Sequence, residues 1–216
     1  MDSYRYLFII VALSVGPAPT FAQSAIEAFR ALDEAAQQEG VSDAEIAEFE
    51  QILNGSDEER ARRAMDFMLA SDDPRLVRRA KEFGLFSANA LFRDAALRAI
   101  FDEGGPFQIE IDLTAKDDEE TGMVDYINAL RGGFSQDGET GYFTFALDAY
   151  DEADNCWPFN GYNNCAFMLA NSAVSLAGWS NGKGQLTLNS EGALEGTLQY
   201  TSGIRKPAPA RIVLIE

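Results

Sequence analysis

The hydrophobic pattern changes its period once along the chain, at Gly104-Gly105-Pro106, and this change most limits the possible folds. In residues 24–105 apolar side chains recur at helical spacing. After Pro106, short segments alternate apolar and polar residues with a period of two. We therefore expect an α+β protein. An N-terminal bundle of short helices would precede a C-terminal antiparallel β-sandwich or small β-barrel.

Local signals predict where the helices begin. Residues 24–38 form an Ala-rich helical segment, and residues 42–45 and 56–59 have the capping-box pattern of a helix N-terminus. Pro74 and Ser87 predict two further starts, since a proline loses nothing by lacking an N–H in the first turn. A sixteen-residue spacing relates two sets of apolar residues and gives the region weak helical-repeat character. The sets are Leu53, Leu69 and Leu85, and Ala64, Ala80 and Ala96.

The second half contains short segments of strand character, separated by turn signals such as Asn181-Gly182. Residues 123–130 fit either a strand or a short helix. The expected strands are 107–113, 142–147, 166–170 with its extension 173–176, 185–188, 194–200 and 211–215.

The start of the chain resembles a secretory signal peptide. An apolar run over residues 6–15 is followed by small residues up to Ala22, where we expect cleavage. The run is too short to cross a bilayer, so no integral membrane segment is expected in the mature chain. The predicted divisions are a signal peptide at 1–22, a helical domain at 23–105 and an antiparallel β domain at 106–216. The predicted location is the periplasm or the exterior.

The chain has two cysteines, Cys156 and Cys165, and export would place them in an oxidising compartment. In an oxidising compartment such a pair is typically a disulfide. Closing so short a loop stabilises the fold by roughly 2.5 kcal/mol on the chain-entropy model.

Charge and composition exclude several classes of function. The formal net charge is −18, which disfavours nucleic acids and anionic membranes as partners and is compatible with cations, basic proteins or neutral glycans. The chain has no histidine. Catalytic Ser-His and Cys-His pairs and the usual zinc ligand sets are therefore excluded.

The disulfide loop is the first candidate binding site. If its aromatic residues are exposed on a pinned loop, they can contact a partner at little entropic cost, and its asparagines can add hydrogen bonds. Alternatively, Trp157 and Phe159 cover one end of the sheet. The candidate contact residues are Trp157, Phe159, Asn160, Tyr162 and Asn163.

Carboxylates lie just before this loop and suggest a calcium site, since calcium prefers six to eight oxygen ligands. The alternative is a solvated acidic loop, because the spacing does not match an EF-hand. The candidate ligands are Asp148, Asp151, Glu152 and Asp154. No other cofactor is expected.

A basic stretch in the helical half is the second candidate surface. The sixteen-residue spacing relates Arg62 to Arg78 and Arg63 to Arg79, so the four can form a row that binds carboxylates or phosphates. Alternatively, these arginines pair with acidic neighbours of the same chain.

These features favour an exported, non-enzymatic binding or adaptor protein. It would recognise a protein or glycan partner in the cell envelope through the disulfide loop. The alternatives are a small carboxylate-dependent glycan hydrolase, which requires two carboxylates converging in a cleft, and a structural envelope component.

Overall fold

The computed structural model describes residues 40–114, 118–161 and 165–214. The segments expected to form the signal peptide and the first helix, residues 1–22 and 24–38, lie outside the described residues. Asp43–Glu216 is one compact unit, and all the helices and strands below belong to it. The proposed division at residue 105 into two domains stays a prediction.

Among the described residues, four helices precede the sheet, and three of them begin at intervals of sixteen residues, at Glu58, Pro74 and Ala90. The start at Pro74 is confirmed, with Asp73 as its N-cap. The helical-repeat character itself stays a prediction. The helices are α1 (Asp43–Leu53), α2 (Glu58–Leu69), α3 (Pro74–Leu85) and α4 (Ala90–Asp102).

Two helices begin later than the sequence predicts. Asp57, not Ser56, caps α2, because its carboxylate accepts a hydrogen bond from the Arg60 amide at 3.0 Å. Asn89 caps α4, while the Ser87 hydroxyl accepts from the Asn89 amide at 3.1 Å. A nearby side chain that reaches the free amides of the first turn therefore decides each start.

The second half forms one antiparallel sheet, curled as a half-barrel, and this β region with a single disulfide is confirmed. The choice between a sandwich and a small barrel stays a prediction. Two short helices, α5 (Asp118–Thr121) and α6 (Met123–Ala129), follow the first strand. The ambiguous segment 123–130 is thus mainly helical.

The strands are β1 (Phe107–Asp112), β2 (Gly133–Phe134), β3 (Thr140–Phe145), β4 (Trp157–Pro158), β5 (Cys165–Ala170), β6 (Ala173–Trp179), β7 (Gly182–Leu188), β8 (Ala193–Tyr200) and β9 (Ala208–Val213). In the sheet they have the order β2-β3-β1-β9-β8-β7-β6-β5-β4. The two-residue strands at its edges, β2 and β4, were not expected from the sequence.

Helix α4 packs against the sheet through both apolar and polar contacts. The ring of Phe101 lies 4.7 Å from that of Phe167 and 5.6 Å from that of Phe107, both edge-on. At the other end of the helix, Asp94 accepts hydrogen bonds from the backbone amide and hydroxyl of Ser172, at 2.6 and 3.1 Å. These contacts fix the position of the β5–β6 turn and of the disulfide loop.

Candidate functional site

The disulfide joins Cys156 to Cys165 beside the short edge strand β4. The loop before it is folded back on itself by backbone hydrogen bonds, Asp148 to Pro158 at 2.9 Å and Asp151 to Cys156 at 2.8 Å. The segment is therefore held by both a covalent bond and a local ladder.

The exposure expected for Trp157 and Phe159 is not found, because they are only 1% and 2% exposed. The Trp157 indole donates a hydrogen bond to Asp102 at 2.8 Å and packs on Phe101. Phe159 packs edge-on against Phe145 at 5.3 Å. This burial corrects the expectation of an aromatic contact surface and supports the alternative, in which both rings cover one end of the sheet.

The other loop candidates give a mixed picture. Asn160 is exposed, and its backbone amide is bonded to the Ala146 carbonyl at 2.9 Å. Tyr162 and Asn163 lie outside the described residues. In the described part of the loop, the accessible surface is therefore polar rather than aromatic.

The acidic patch before the disulfide is a hydrogen-bonded turn. One Asp151 oxygen accepts from the amides of Ala153 and Asp154 at 2.9 and 3.3 Å, while Asp148, Glu152 and Asp154 are exposed. Within the described ranges, no three or more histidine, cysteine or acidic side chains are grouped to hold a metal ion. Calcium binding stays a prediction.

All four candidate arginines pair with acidic neighbours. Arg62 lies 3.4 Å from Asp66, and Arg63 lies 3.3 Å from Glu59. On α3, Glu82 lies 3.7 Å from Arg78 and 3.0 Å from Arg79. These contacts support the intramolecular alternative. Because the pairs are largely exposed, each contributes about 1 kcal/mol or less.

A groove of about 700 Å³ lies between α1, the end of α3 and the start of α4. Leu53 and Phe92 form buried walls and are 4% and 7% exposed, whereas Phe86 is 56% exposed. Phe83 packs on Phe92 with its ring 5.5 Å away. The groove thus combines an apolar interior with an accessible aromatic ring.

The close approach of α3 to α4 shapes this groove. A Cβ atom at Gly84 would lie 2.5 Å from the Ala96 Cβ and 2.6 Å from the Phe92 carbonyl oxygen. Only glycine fits there without movement, and it brings Phe83 against Phe92.

Polar groups of alternating charge line the same groove. Arg79 lies between Glu50, at 3.4 Å, and Glu82, at 3.0 Å. Sequence reasoning missed this site. The three-residue spacing of Phe83 and Phe86 puts both on one helix face, but the same spacing is found in helices buried in a core.

Comparisons of the chain with protein-family models, with curated proteins and with solved structures gave no match. Among the described residues, no helical segment has the length and hydrophobicity of a transmembrane helix.

Proposed function

We propose that this is an exported, non-enzymatic binding or adaptor protein that holds an apolar segment of a partner protein in the groove between α1, α3 and α4. The observation that carries the proposal is Phe86, a large aromatic residue 56% exposed beside a groove of about 700 Å³. Concave sites with apolar walls and a few polar groups are the usual form of a ligand-binding site. Aromatic residues, phenylalanine among them, are also enriched in the buried centre of protein interfaces.

The charges at the groove indicate the chemistry of the partner. Two glutamates, Glu50 and Glu82, lie beside the single arginine Arg79, in a chain with a net charge of −18. A partner that carries lysine or arginine next to its apolar side chains would match this potential, whereas an acidic partner would be repelled. The expected occupant is therefore a basic, apolar peptide segment.

The same pairing favours binding over hydrolysis. Both lining glutamates are held by Arg79, and carboxylates shared with one guanidinium are not arranged as the separate acid and base that glycoside hydrolysis requires. A groove that combines apolar walls with charged and polar side chains instead has the composition of a ligand-binding site.

The test uses the protein from Gln23 onward as an immobilised target and selects, from a library of random displayed peptides, those that bind to it. Peptides with apolar residues flanked by lysine or arginine should be enriched, and their affinities should be measured by fluorescence anisotropy. Phe86→Ala should weaken binding by at least tenfold, since loss of an aromatic anchor costs about 2 kcal/mol. The matched control is Phe67→Ala. Phe67 is 58% exposed and stacks on Phe49, but it does not line the groove.

Three outcomes would overturn the proposal. They are no enrichment of peptides, equal loss of binding in both variants, and enrichment of acidic peptides. A further measurement, light scattering, tests whether a second copy of this chain is the occupant. Self-association that disappears in Phe86→Ala would replace the proposed partner with the protein itself.

A further inference from the structure

A row of polar side chains crosses the outward face of the sheet. Its residues come later in the sequence than those that line the groove at Phe86. In the strand register, Tyr142 lies opposite Glu110, Glu110 opposite Arg211, and Arg211 opposite Glu195. The row therefore spans β3, β1, β9 and β8, or roughly 14 Å at the usual strand spacing.

A trough of about 540 Å³ runs beside this row. Its second side is formed by Asp112, Thr140 and Pro209, about 7 Å from the first at the usual rise of two strand residues. Between the two sides lie Ile111, Gly196 and Ala210, which are paired with one another. Because Ile111 and Ala210 are buried, they offer mainly their backbone to the trough.

The hydrogen-bonding capacity of this trough is incompletely used. Arg211 Nε lies 3.5 Å from a Glu195 oxygen without a hydrogen bond, and Arg211 Nη2 lies 3.3 Å from Glu191. Among the described residues, this Nε is the one buried side-chain nitrogen or oxygen without a hydrogen-bond partner. A buried donor of this kind calls for an explanation, and a small movement of Arg211 toward an acceptor bound in the trough would supply one.

The donors and acceptors identify a ligand class. Glu110, Asp112 and Glu195 only accept when ionised, Arg211 only donates, and Thr140 does both. A hydroxyl placed between a carboxylate and a guanidinium can donate to the first and accept from the second. Ligands with many adjacent hydroxyls match this alternation, whereas an apolar ligand could form no hydrogen bonds with these groups.

The charge of the trough and a neighbouring aromatic residue limit the class of ligand further. Three carboxylates against one guanidinium disfavour an acidic ligand. Tyr142 is 38% exposed at the end of the row, and its ring lies against Gly133, where an added Cβ would be 2.8 Å from the ring. An aromatic ring fixed in this way offers an apolar surface to the C–H groups of a sugar. We infer that the trough binds an oligosaccharide without acidic groups, independently of the groove at Phe86.

The test follows the Arg211 Nε–H signal by nitrogen-15 NMR during titration with defined tetrasaccharides. Maltotetraose, cellotetraose and tetra-N-acetylchitotetraose are the probes, and tetragalacturonate is the acidic comparison. At least one probe should shift the Arg211 signal together with Tyr142 and Thr140, and tetragalacturonate should not. No shift with any probe, or an equal shift with tetragalacturonate, would overturn the inference.

Substitutions test whether saccharides bind in this trough or elsewhere on the surface. Arg211→Lys and Glu195→Gln should each weaken saccharide binding at least tenfold, with the dispersion of the NMR spectrum retained. Glu152→Gln is the control, since Glu152 is an exposed glutamate in the acidic turn just before the disulfide loop. Phe86→Ala should leave saccharide binding unchanged. Equal affinity of all these variants would overturn the assignment of the site.

Discussion

Trp157 donates its indole N–H to Asp102 across 2.8 Å, and this hydrogen bond joins the disulfide loop to the last residue of α4. A second contact lies beside it, where the Arg98 guanidinium is 4.0 Å from the centre of the Tyr150 ring. The loop that was expected to face a partner instead connects the helices to the sheet.

Trp157→Phe should therefore destabilise the fold. It removes a hydrogen bond to a charged acceptor and some packing, at an expected cost of about 2 kcal/mol in the free energy of unfolding. Urea denaturation measures this change. In a double-mutant cycle with Asp102→Ala, the two effects should not add, because each variant removes the same hydrogen bond. Additive losses would mean that this bond contributes little.

Removing the disulfide should also lower stability. The variant Cys156→Ala/Cys165→Ala is expected to lose about 2.5 kcal/mol, because the unfolded chain gains the entropy of an open loop. Urea denaturation of the oxidised wild type and the variant gives the difference. The intact mass of the native protein should not change on treatment with an alkylating agent alone. Two labelled thiols would contradict the disulfide.

Gly84→Ala sets two opposing effects against each other. Alanine favours a helix by about 1 kcal/mol over glycine. However, its Cβ would lie 2.6 Å from the Phe92 carbonyl oxygen, a backbone atom that cannot turn away. We expect the clash to dominate, with a net loss of about 1.5 kcal/mol and a Tm lower by several degrees. A higher Tm would show that α3 and α4 can separate freely.

Asp137 provides a prediction about pH. Its carboxylate accepts from the Ser135 hydroxyl at 2.5 Å and from the Glu139 amide at 3.0 Å, and these bonds lower the pKa of Asp137. Because the folded pKa is lowered, the stabilisation is present above the unfolded pKa and is lost as pH falls through the folded one. The turn between β2 and β3 should therefore loosen only in acid.

Carbon-13 NMR titration of the Asp137 carboxyl tests this prediction. Ser135→Ala should raise the pKa of Asp137 toward its ordinary value, while Ser190→Ala, a substitution in another exposed turn, should leave it unchanged. An Asp137 pKa that is the same in wild type and Ser135→Ala would show that the hydroxyl does not hold the carboxylate.

Much of the secondary structure could be predicted because its signals are local. The alternation of Phe107, Ile109 and Ile111 with polar residues predicts β1, and the structure buries these three on one face. Pro74 likewise marks the start of α3. Where two local signals compete, as between Ser56 and Asp57 at α2, the sequence pattern did not give the correct cap.

The candidate sites were less predictable because exposure depends on distant residues. The local sequence around Trp157 and Phe159 would be the same whether their rings were exposed on an open loop or buried against the sheet. The hydrogen-bond partner of the buried Trp157, Asp102, lies 55 residues earlier in the chain. For the same reason, Phe86 could not be distinguished from a core residue, nor Arg211 from an ordinary exposed charge on a strand.

By itself, the sequence determined the order of helices before strands and the cysteine pair available for a disulfide. These follow from periodicity, turn residues and composition, which act over a few neighbouring residues. Only the tertiary structure decided that the aromatic residues of the disulfide loop are buried and that Phe86 is accessible. The physical reason is that burial is a property of surfaces brought together from distant parts of the chain, here α4 against the curled sheet.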